Sequence, residues 1–209
     1  TTKMLQKISD QKIQEPTFSP DGLRVAYGFQ NNIFVKNLET GQITQVTFDG
    51  EKNKIINGIT DWVYEEEFAF VRAFEWNADG HKIAYLKFDE TEVPEFSMDV
   101  YGQALYQSQQ VFKYPKAGEK NAIVSLHVYN LSTAESKEVK VNKPYNDFYI
   151  PRIKWTNDAH ILSAQFINRH QNELDLWAIN TKNNSASILL TETDKAYVDV
   201  TDNLTFLND

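Results

Sequence analysis

A short sequence pattern recurs along the 209-residue chain and constrains the fold more than any other feature. An aromatic residue, an Asp-Gly turn and an apolar strand occur in residues 18–27 (FSPDGLRVAY) and again in residues 76–85 (WNADGHKIAY). A shortened copy, with Asp-Ala in place of Asp-Gly, occupies residues 155–163. Asp-Gly between apolar segments indicates a β-hairpin, because glycine accepts the positive φ that tight turns need. Segments of alternating apolar residues follow, as at residues 33–38 and 174–179, and predict strands with one buried face.

Repeated units of short strands predict an all-β fold of propeller blades, each a four-stranded antiparallel sheet. Units of roughly 40–50 residues would give about four blades in a chain of this length. We expect an open partial propeller, because both ends of the sequence look like cuts within structured regions. A β-sandwich is the alternative, but sandwiches do not repeat their sequence.

Composition and motif searches exclude several classes of function. The net charge of -8 argues against nucleic acid as a partner, and the absence of cysteine excludes disulfides and thiolate metal sites. No apolar run is long enough to span a membrane, and no Gly-x-Ser-x-Gly elbow, phosphate loop or dinucleotide fingerprint occurs. The histidines show no paired spacing for a metal, so we predict neither a metal nor a cofactor. They are His81, His127, His160 and His170.

Two stretches depart from the repeat, and function on repeat scaffolds tends to lie in such departures. Residues 89–120 form a long polar and aromatic insertion, whose first four residues (DETE) we interpret as a solvated loop. Residues 58–68 contain three consecutive glutamates, Glu65, Glu66 and Glu67. On a helical turn two of these carboxylates could converge on one ammonium group, which offers three hydrogen-bond donors. A solvated acidic turn is the alternative interpretation. The four tryptophans are expected in the blade cores: Trp62, Trp76, Trp155 and Trp177.

Residues 61–68 (DWVYEEEF) resemble the double-glutamate motif of the dipeptidyl peptidase IV family of serine peptidases. Three further segments agree in the order found in that family: residues 57–60 (NGIT), residues 89–94 (DETEVP) and residues 114–118 (YPKAG). The specific resemblance runs from about residue 16 to about residue 129, and beyond that it rests on the blade pattern.

The resemblance implies that residues 1–209 are part of the N-terminal β-propeller of such an enzyme, with the triplet on a short helical insertion. It implies that Glu66 and Glu67 bind the free amino terminus of a peptide substrate, while Glu65 points outward. Supporting positions would be Glu65, as the outward neighbour of the pair, and Tyr64, Trp62 and Asp61. Family members release X-Pro or X-Ala dipeptides, and their catalytic serine, aspartate and histidine lie in a C-terminal α/β-hydrolase domain. No catalytic residue and no substrate-binding arginine is therefore assigned in this chain.

Two other readings remain open at this stage. The chain could be a non-catalytic propeller that serves as a protein-interaction scaffold, or part of a prolyl peptidase whose propeller only filters access. The lack of cysteine suggests a bacterial homologue, and exported bacterial relatives make the periplasm or cell envelope the expected location. A homodimer is a further expectation from the resemblance.

Overall fold

The computed structural model describes residues 6–207, most of which lie in antiparallel strands and their connections. The first sheet has the spatial order β1-β2-β3-β4, so each strand pairs with its neighbour in sequence. Its strands are β1 (Gln14–Phe18), β2 (Arg24–Phe29), β3 (Asn32–Asn37) and β4 (Ile43–Gln45). This sequential order is the arrangement expected of one propeller blade.

The middle of the chain holds a second sheet and a separate hairpin. Its strands are β5 (Ile55–Asn57), β6 (Phe74–Trp76), β7 (Lys82–Asp89), β8 (Glu95–Val100), β9 (Ser108–Lys113), β10 (Ile123–Asn130) and β11 (Glu135–Glu138). The sheet has the order β11-β10-β7, and both β5 and β6 pair with the free edge of β7. The strands β8 and β9 pair only with each other, and they form the connection from β7 to β10.

The third sheet repeats the order of the first, β12-β13-β14-β15. Its strands are β12 (Phe148–Trp155), β13 (Ile161–Asn168), β14 (Glu173–Asn180) and β15 (Ser185–Thr193). The described residues thus form three blades, and no strand pairing joins one blade to another. The all-β fold of open propeller blades is confirmed. The length-based estimate of about four blades was higher because the helical insertion and the β8–β9 hairpin use residues that a regular repeat would assign to another blade.

The helical insertion interrupts the inner strand of the second blade without breaking its ladder. Residues 55–57 pair with residues 87–89 of β7, and residues 74–76 pair with residues 83–85. Between them, the Gly58 N–H donates to the Leu86 carbonyl, and the Leu86 N–H donates to the Ala73 carbonyl, both at 2.9 Å. This excursion, residues 58–73, therefore leaves the sheet at Gly58 and returns to it at Ala73, both of which pair with Leu86 of β7.

The excursion is closed at its base by a short antiparallel stem. Ile59 and Arg72 form an isolated β-bridge, and the Thr60 N–H donates to the Val71 carbonyl at 3.0 Å. The Thr60 hydroxyl also donates to the Phe70 carbonyl at 3.0 Å. This stem fixes the direction in which the acidic segment leaves the blade.

Aromatic residues occupy the blade cores largely as the repeat predicts. Trp76, Trp155 and Trp177 are all buried, and Trp177 is among the largest fully buried side chains. Trp62 differs, because it lies on the excursion and is only half-buried. The prediction that Trp62 lies in a blade core is therefore wrong, because the excursion carries this residue away from the strands of the blade.

Gly58, where the chain leaves the second blade, provides a test of this geometry. Its φ is +72°, and an added Cβ would lie 2.6 Å from the Ile33 side chain of the first blade. Gly58→Ala should lower the free energy of unfolding through both backbone strain and overpacking, by about 2–4 kcal/mol in total. Urea denaturation measures this change.

Gly41→Ala is the matched control, because Gly41 has a φ of +74° and no atom within 4 Å of an added Cβ. It should cost only the backbone term, about 1–2 kcal/mol. Equal losses in the two variants would show that the contact between Gly58 and the first blade is not tight.

Candidate functional site

The acidic segment forms a six-residue helix, α1 (Trp62–Glu67), at the tip of the excursion. Asp61 caps its start, since the Asp61 carboxylate accepts a hydrogen bond from the Tyr64 N–H at 3.1 Å. The Phe68 N–H donates to the Tyr64 carbonyl at the other end, and Ala69 follows with a φ of 56°, a left-handed conformation that ends the helix. The helical insertion predicted for the glutamate triplet is confirmed.

Tyr64 anchors α1 between the second and third blades. Its side chain is 2% exposed, and its ring packs on Phe68, Phe88 and Tyr149 at centroid distances of 5.1, 4.8 and 6.0 Å. The Tyr64 hydroxyl accepts a hydrogen bond from the Ile150 N–H of β12 at 2.8 Å. Burial raises the pKa of Tyr64 well above its ordinary value, so the phenol stays neutral.

The three glutamates lie on the solvent side of this anchored helix. Glu65, Glu66 and Glu67 are all exposed, and none has a hydrogen bond or ion pair with another side chain in the part of the chain described here. Glu65 lies in the first turn, where the helix dipole favours a negative charge. Glu66 and Glu67 end the helix, where the dipole disfavours one. A cation bound at this end would offset the unfavourable interaction of both carboxylates with the helix dipole.

Glu67 also lines a groove between α1 and the β8–β9 hairpin, with a volume of about 830 Å³. Aromatic residues form much of its wall, and Trp62 packs edge-on against Tyr114 with ring centroids 4.3 Å apart. Tyr149 lies on the same groove, and the negative charge of Glu67 is among the causes that raise its pKa, after burial as the main one. Glu65 and Glu66 do not line this groove.

Arg169 also lines the groove, and its guanidinium donates to partners other than Glu67. It donates to the Asp147 carboxylate at 3.1 Å and to the Glu119 carbonyl at 2.5 Å. It therefore ties the third blade to the segment that follows the hairpin, and the Glu67 carboxylate keeps its hydrogen-bonding capacity for a ligand.

Two further carboxylates are buried near the start of the helix. Asp61 and Glu90 are each 6% exposed. Burial raises the pKa of Asp61 to about 6, and burial together with the nearby charge of Asp61 raises the pKa of Glu90 to about 7. The interpretation of residues 89–92 as a solvated loop is therefore wrong at Glu90. The reason is that the Glu90 N–H pairs with the Lys54 carbonyl at 2.7 Å, which pulls the segment against the second blade.

The structure thus separates the predicted site residues into two groups. Glu65, Glu66 and Glu67 share the exposed side of α1, whereas the supporting residues lie behind or beside them as cap, anchor and groove wall. These supporting residues are Asp61, Tyr64 and Trp62. Sequence reasoning missed Glu90, Tyr149 and Arg169, because their proximity to α1 depends on the packing of separate blades.

Other functional chemistry is limited within residues 6–207. No group of three or more histidine, aspartate and glutamate side chains is placed to hold a metal ion in that range. None of the helical structure there is long and apolar enough to cross a bilayer.

Comparison with known proteins identifies the family. The model of the dipeptidyl peptidase IV N-terminal region matches residues 1–209. The chain belongs to this family. Among its curated relatives, prolyl endopeptidase FAP from Bos taurus is 37% identical to the chain over 166 residues, which cover 77% of this chain and 22% of that protein. Dipeptidyl peptidase 4 from Felis catus is 33% identical over 210 residues, covering 93% of this chain and 27% of that protein.

A crystal structure of dipeptidyl peptidase 4 from Porphyromonas gingivalis superposes on the chain with a TM-score of 0.87 and 42% identity. The match covers 92% of this chain and 28% of that one. A putative dipeptidyl aminopeptidase IV from Bacteroides ovatus gives a TM-score of 0.74 and 26% identity, with 89% and 25% coverage. The chain therefore spans about a quarter of the length of these relatives, within the propeller region.

The buried carboxylates make the stability of the site depend on pH. Folding raises the pKa of Glu90 from 4.5 to about 7, so the folded state favours the protonated form. Stability is then highest at low pH and falls as pH rises through that interval. Glu90→Gln removes the titration, and its free energy of unfolding relative to wild type should rise by about 2–3 kcal/mol between pH 5 and pH 8.

Urea denaturation at several pH values measures this difference. Glu92→Gln is the control, because Glu92 is exposed and forms only a surface ion pair with Lys120 at 3.2 Å. A Glu90→Gln effect that does not change with pH would contradict burial of the charged carboxylate.

Proposed function

We propose that this chain is the substrate-recognition part of a serine exopeptidase and that Glu66 and Glu67 hold the free amino group of a peptide. The observation that carries the proposal is a pair of exposed carboxylates at the C-terminal end of a rigidly anchored helix, without side-chain partners among residues 6–207. An ammonium group donates three hydrogen bonds and carries the charge that this end of the helix lacks.

The clamp also explains why such an enzyme would remove dipeptides. A charge site held at a fixed distance from a nucleophile sets how many residues lie between the amino terminus and the cut. A peptide with a blocked amino terminus would lack the positive charge. A peptide with more residues between its amino group and the scissile bond would not fit the fixed distance between the clamp and the nucleophile. The anchoring by Tyr64 supports the fixed position that this requires.

The nucleophile and its partners would belong to a C-terminal α/β-hydrolase domain of the longer protein, and the substrates would be peptides with proline or alanine in the second position. Three curated relatives carry the name prolyl endopeptidase FAP. Family membership alone therefore does not select an exopeptidase, and the amine clamp is the feature that favours one. A Gly-x-Ser-x-Gly motif in the longer protein would separate this proposal from the scaffold alternative.

The proposal extends to location and assembly. The absence of cysteine and the likeness to bacterial dipeptidyl peptidases support a bacterial protein of the periplasm or cell envelope. The β8–β9 hairpin supports a homodimer, because its side chains are mostly exposed and include Phe96, Met98 and Val100, which alternate along one face of β8. An isolated two-stranded hairpin with an apolar face gains stability from a partner surface.

Substitutions in the full-length enzyme test the clamp. Glu66→Gln and Glu67→Gln keep the shape of the side chain and remove its charge. Each should lower kcat/KM for Gly-Pro-p-nitroanilide by about tenfold to a hundredfold, because a charge-assisted hydrogen bond contributes about 1.5–3 kcal/mol. Steady-state kinetics measure the change.

Glu65→Gln is the matched control, since Glu65 neighbours the pair on the same exposed side and is not assigned to the amine. It should stay within about twofold of wild type. Unchanged kinetics in both the Glu66 and Glu67 variants would remove the clamp from consideration.

A second test uses the 209-residue chain alone. If the nucleophile lies elsewhere, the purified chain should release no p-nitroaniline from Gly-Pro-p-nitroanilide, while the full-length enzyme does so under the same conditions. A serine-directed fluorophosphonate probe should label only the full-length enzyme. Hydrolysis by the purified chain would contradict the division of roles.

A further inference from the structure

A cleft of about 670 Å³ lies between the second and third blades, and its lining residues do not belong to α1. One wall comes from the start of β7, from β10 and from β11 with the residues around it, and the other comes from His160 before β13, the end of β14 and the β14–β15 turn. Both walls therefore belong to the described residues. Apolar side chains line part of it, including Val128, Val139 and Ile179. Of the residues that the structure describes, four lysines line it too, and no arginine does. They are Lys82, Lys137, Lys140 and Lys182.

Lys82 lines the cleft and has no acidic partner in the described part of the chain. Its ammonium donates to the Thr181 hydroxyl at 2.8 Å and lies 3.4 Å from His160 Nδ1. Within residues 6–207, no carboxylate oxygen lies within 4.0 Å of it. Partial burial lowers the pKa of Lys82, although the more distant charges of Asp79 and Asp158 act in the opposite direction. A partly desolvated ammonium is thus held by neutral groups.

Thr181 fixes the position of this ammonium. The Thr181 hydroxyl accepts from Lys82 and itself donates to the His160 carbonyl at 3.1 Å, while the Thr181 N–H donates to the same carbonyl at 2.8 Å. The oxygen is therefore oriented toward Lys82. This local network sets the direction of the lysine side chain before any ligand is present.

The other charges of the cleft do not neutralise it. Lys137 and Lys140 pair with Glu135 and Glu138 only at 3.9 and 3.8 Å. Lys182 is exposed and has no ion pair with any residue that the structure describes. Lys82 and Lys182 thus give the cleft a positive excess in a chain whose formal net charge is -8.

We propose that this cleft between the blades binds a tetrahedral oxyanion, a phosphate or sulfate group, with Lys82 and Lys182 as its cationic contacts. Lysine ammoniums act as point charges and suit phosphate, whereas planar carboxylates are best held by the paired N–H groups of arginine, which the cleft lacks. The apolar wall gives room for the body of a molecule that carries the anionic group. The proposal does not depend on the amine clamp.

Isothermal titration calorimetry of the full chain tests which class of ligand binds the cleft. The probes are sodium phosphate, sodium sulfate, phenyl phosphate and sodium acetate, with ionic strength held constant by sodium chloride. Phosphate and sulfate should bind, and acetate should not bind at the same concentrations. Tighter binding of phenyl phosphate would assign the group to a larger carrier, and equal binding would assign it to the free ion. Equal binding of acetate and phosphate would overturn the proposal.

Variants locate the binding. Lys82→Met and Lys182→Met should each raise the dissociation constant for phosphate about tenfold. Lys12→Met is the matched control, because Lys12 is exposed, precedes β1 and removes the same charge. The exposed Lys182 decides the outcome if Lys82→Met does not fold, as judged by circular dichroism. Unchanged phosphate affinity in Lys182→Met and in folded Lys82→Met would refute the site.

Discussion

The hydrogen bond from the Ile150 N–H to the Tyr64 hydroxyl joins α1 to the third blade, and the position of the acidic residues depends on it. A six-residue helix does not hold its shape by its own hydrogen bonds, since helix nucleation is unfavourable. Burial of Tyr64 and Phe68 against Phe88 and Tyr149 supplies what the helix lacks. The same contacts bring the second and third blades together, so the position of the helix depends on the packing of these two blades.

Acidic groups around α1 fall into two layers with different electrostatics. The exposed glutamates remain in water and are available to a cation, whereas Asp61 and Glu90 are removed from water and have raised pKa values of about 6 and 7. Near neutral pH the inner layer therefore carries less than its full negative charge. This limits the repulsion between the carboxylates of Asp61 and Glu90. Asp61 remains a hydrogen-bond acceptor for the Tyr64 N–H in either protonation state.

The parts of the structure that repeat were predictable from sequence, and the parts that join blades were not. The Asp-Gly turns at Gly22 and Gly80 have φ values of 71° and 69°, as the hairpin pattern requires. The acidic triplet was recognisable as a departure from that pattern. Burial of Glu90 and the position of Arg169 beside the groove arise from contacts between distant segments, and no local period encodes them. Trp62 was misplaced for the same reason, since its surroundings come from Tyr114 on the far side of the hairpin.

Inserting a helix into an inner strand is compatible with a stable blade only if the ladder is preserved. The β7 edge keeps its partners because Gly58 and Ala73 both pair with Leu86 across the point of insertion. The excursion thus leaves few backbone groups unpaired at its base, and the stem at Ile59 and Arg72 extends the pairing outward. Gly58 makes this close approach to the first blade, where a side chain would meet Ile33. The helix is consequently held by the second and third blades, and the base of the excursion packs against the first. This rigidity is what the proposed fixed-distance clamp for a peptide amine requires.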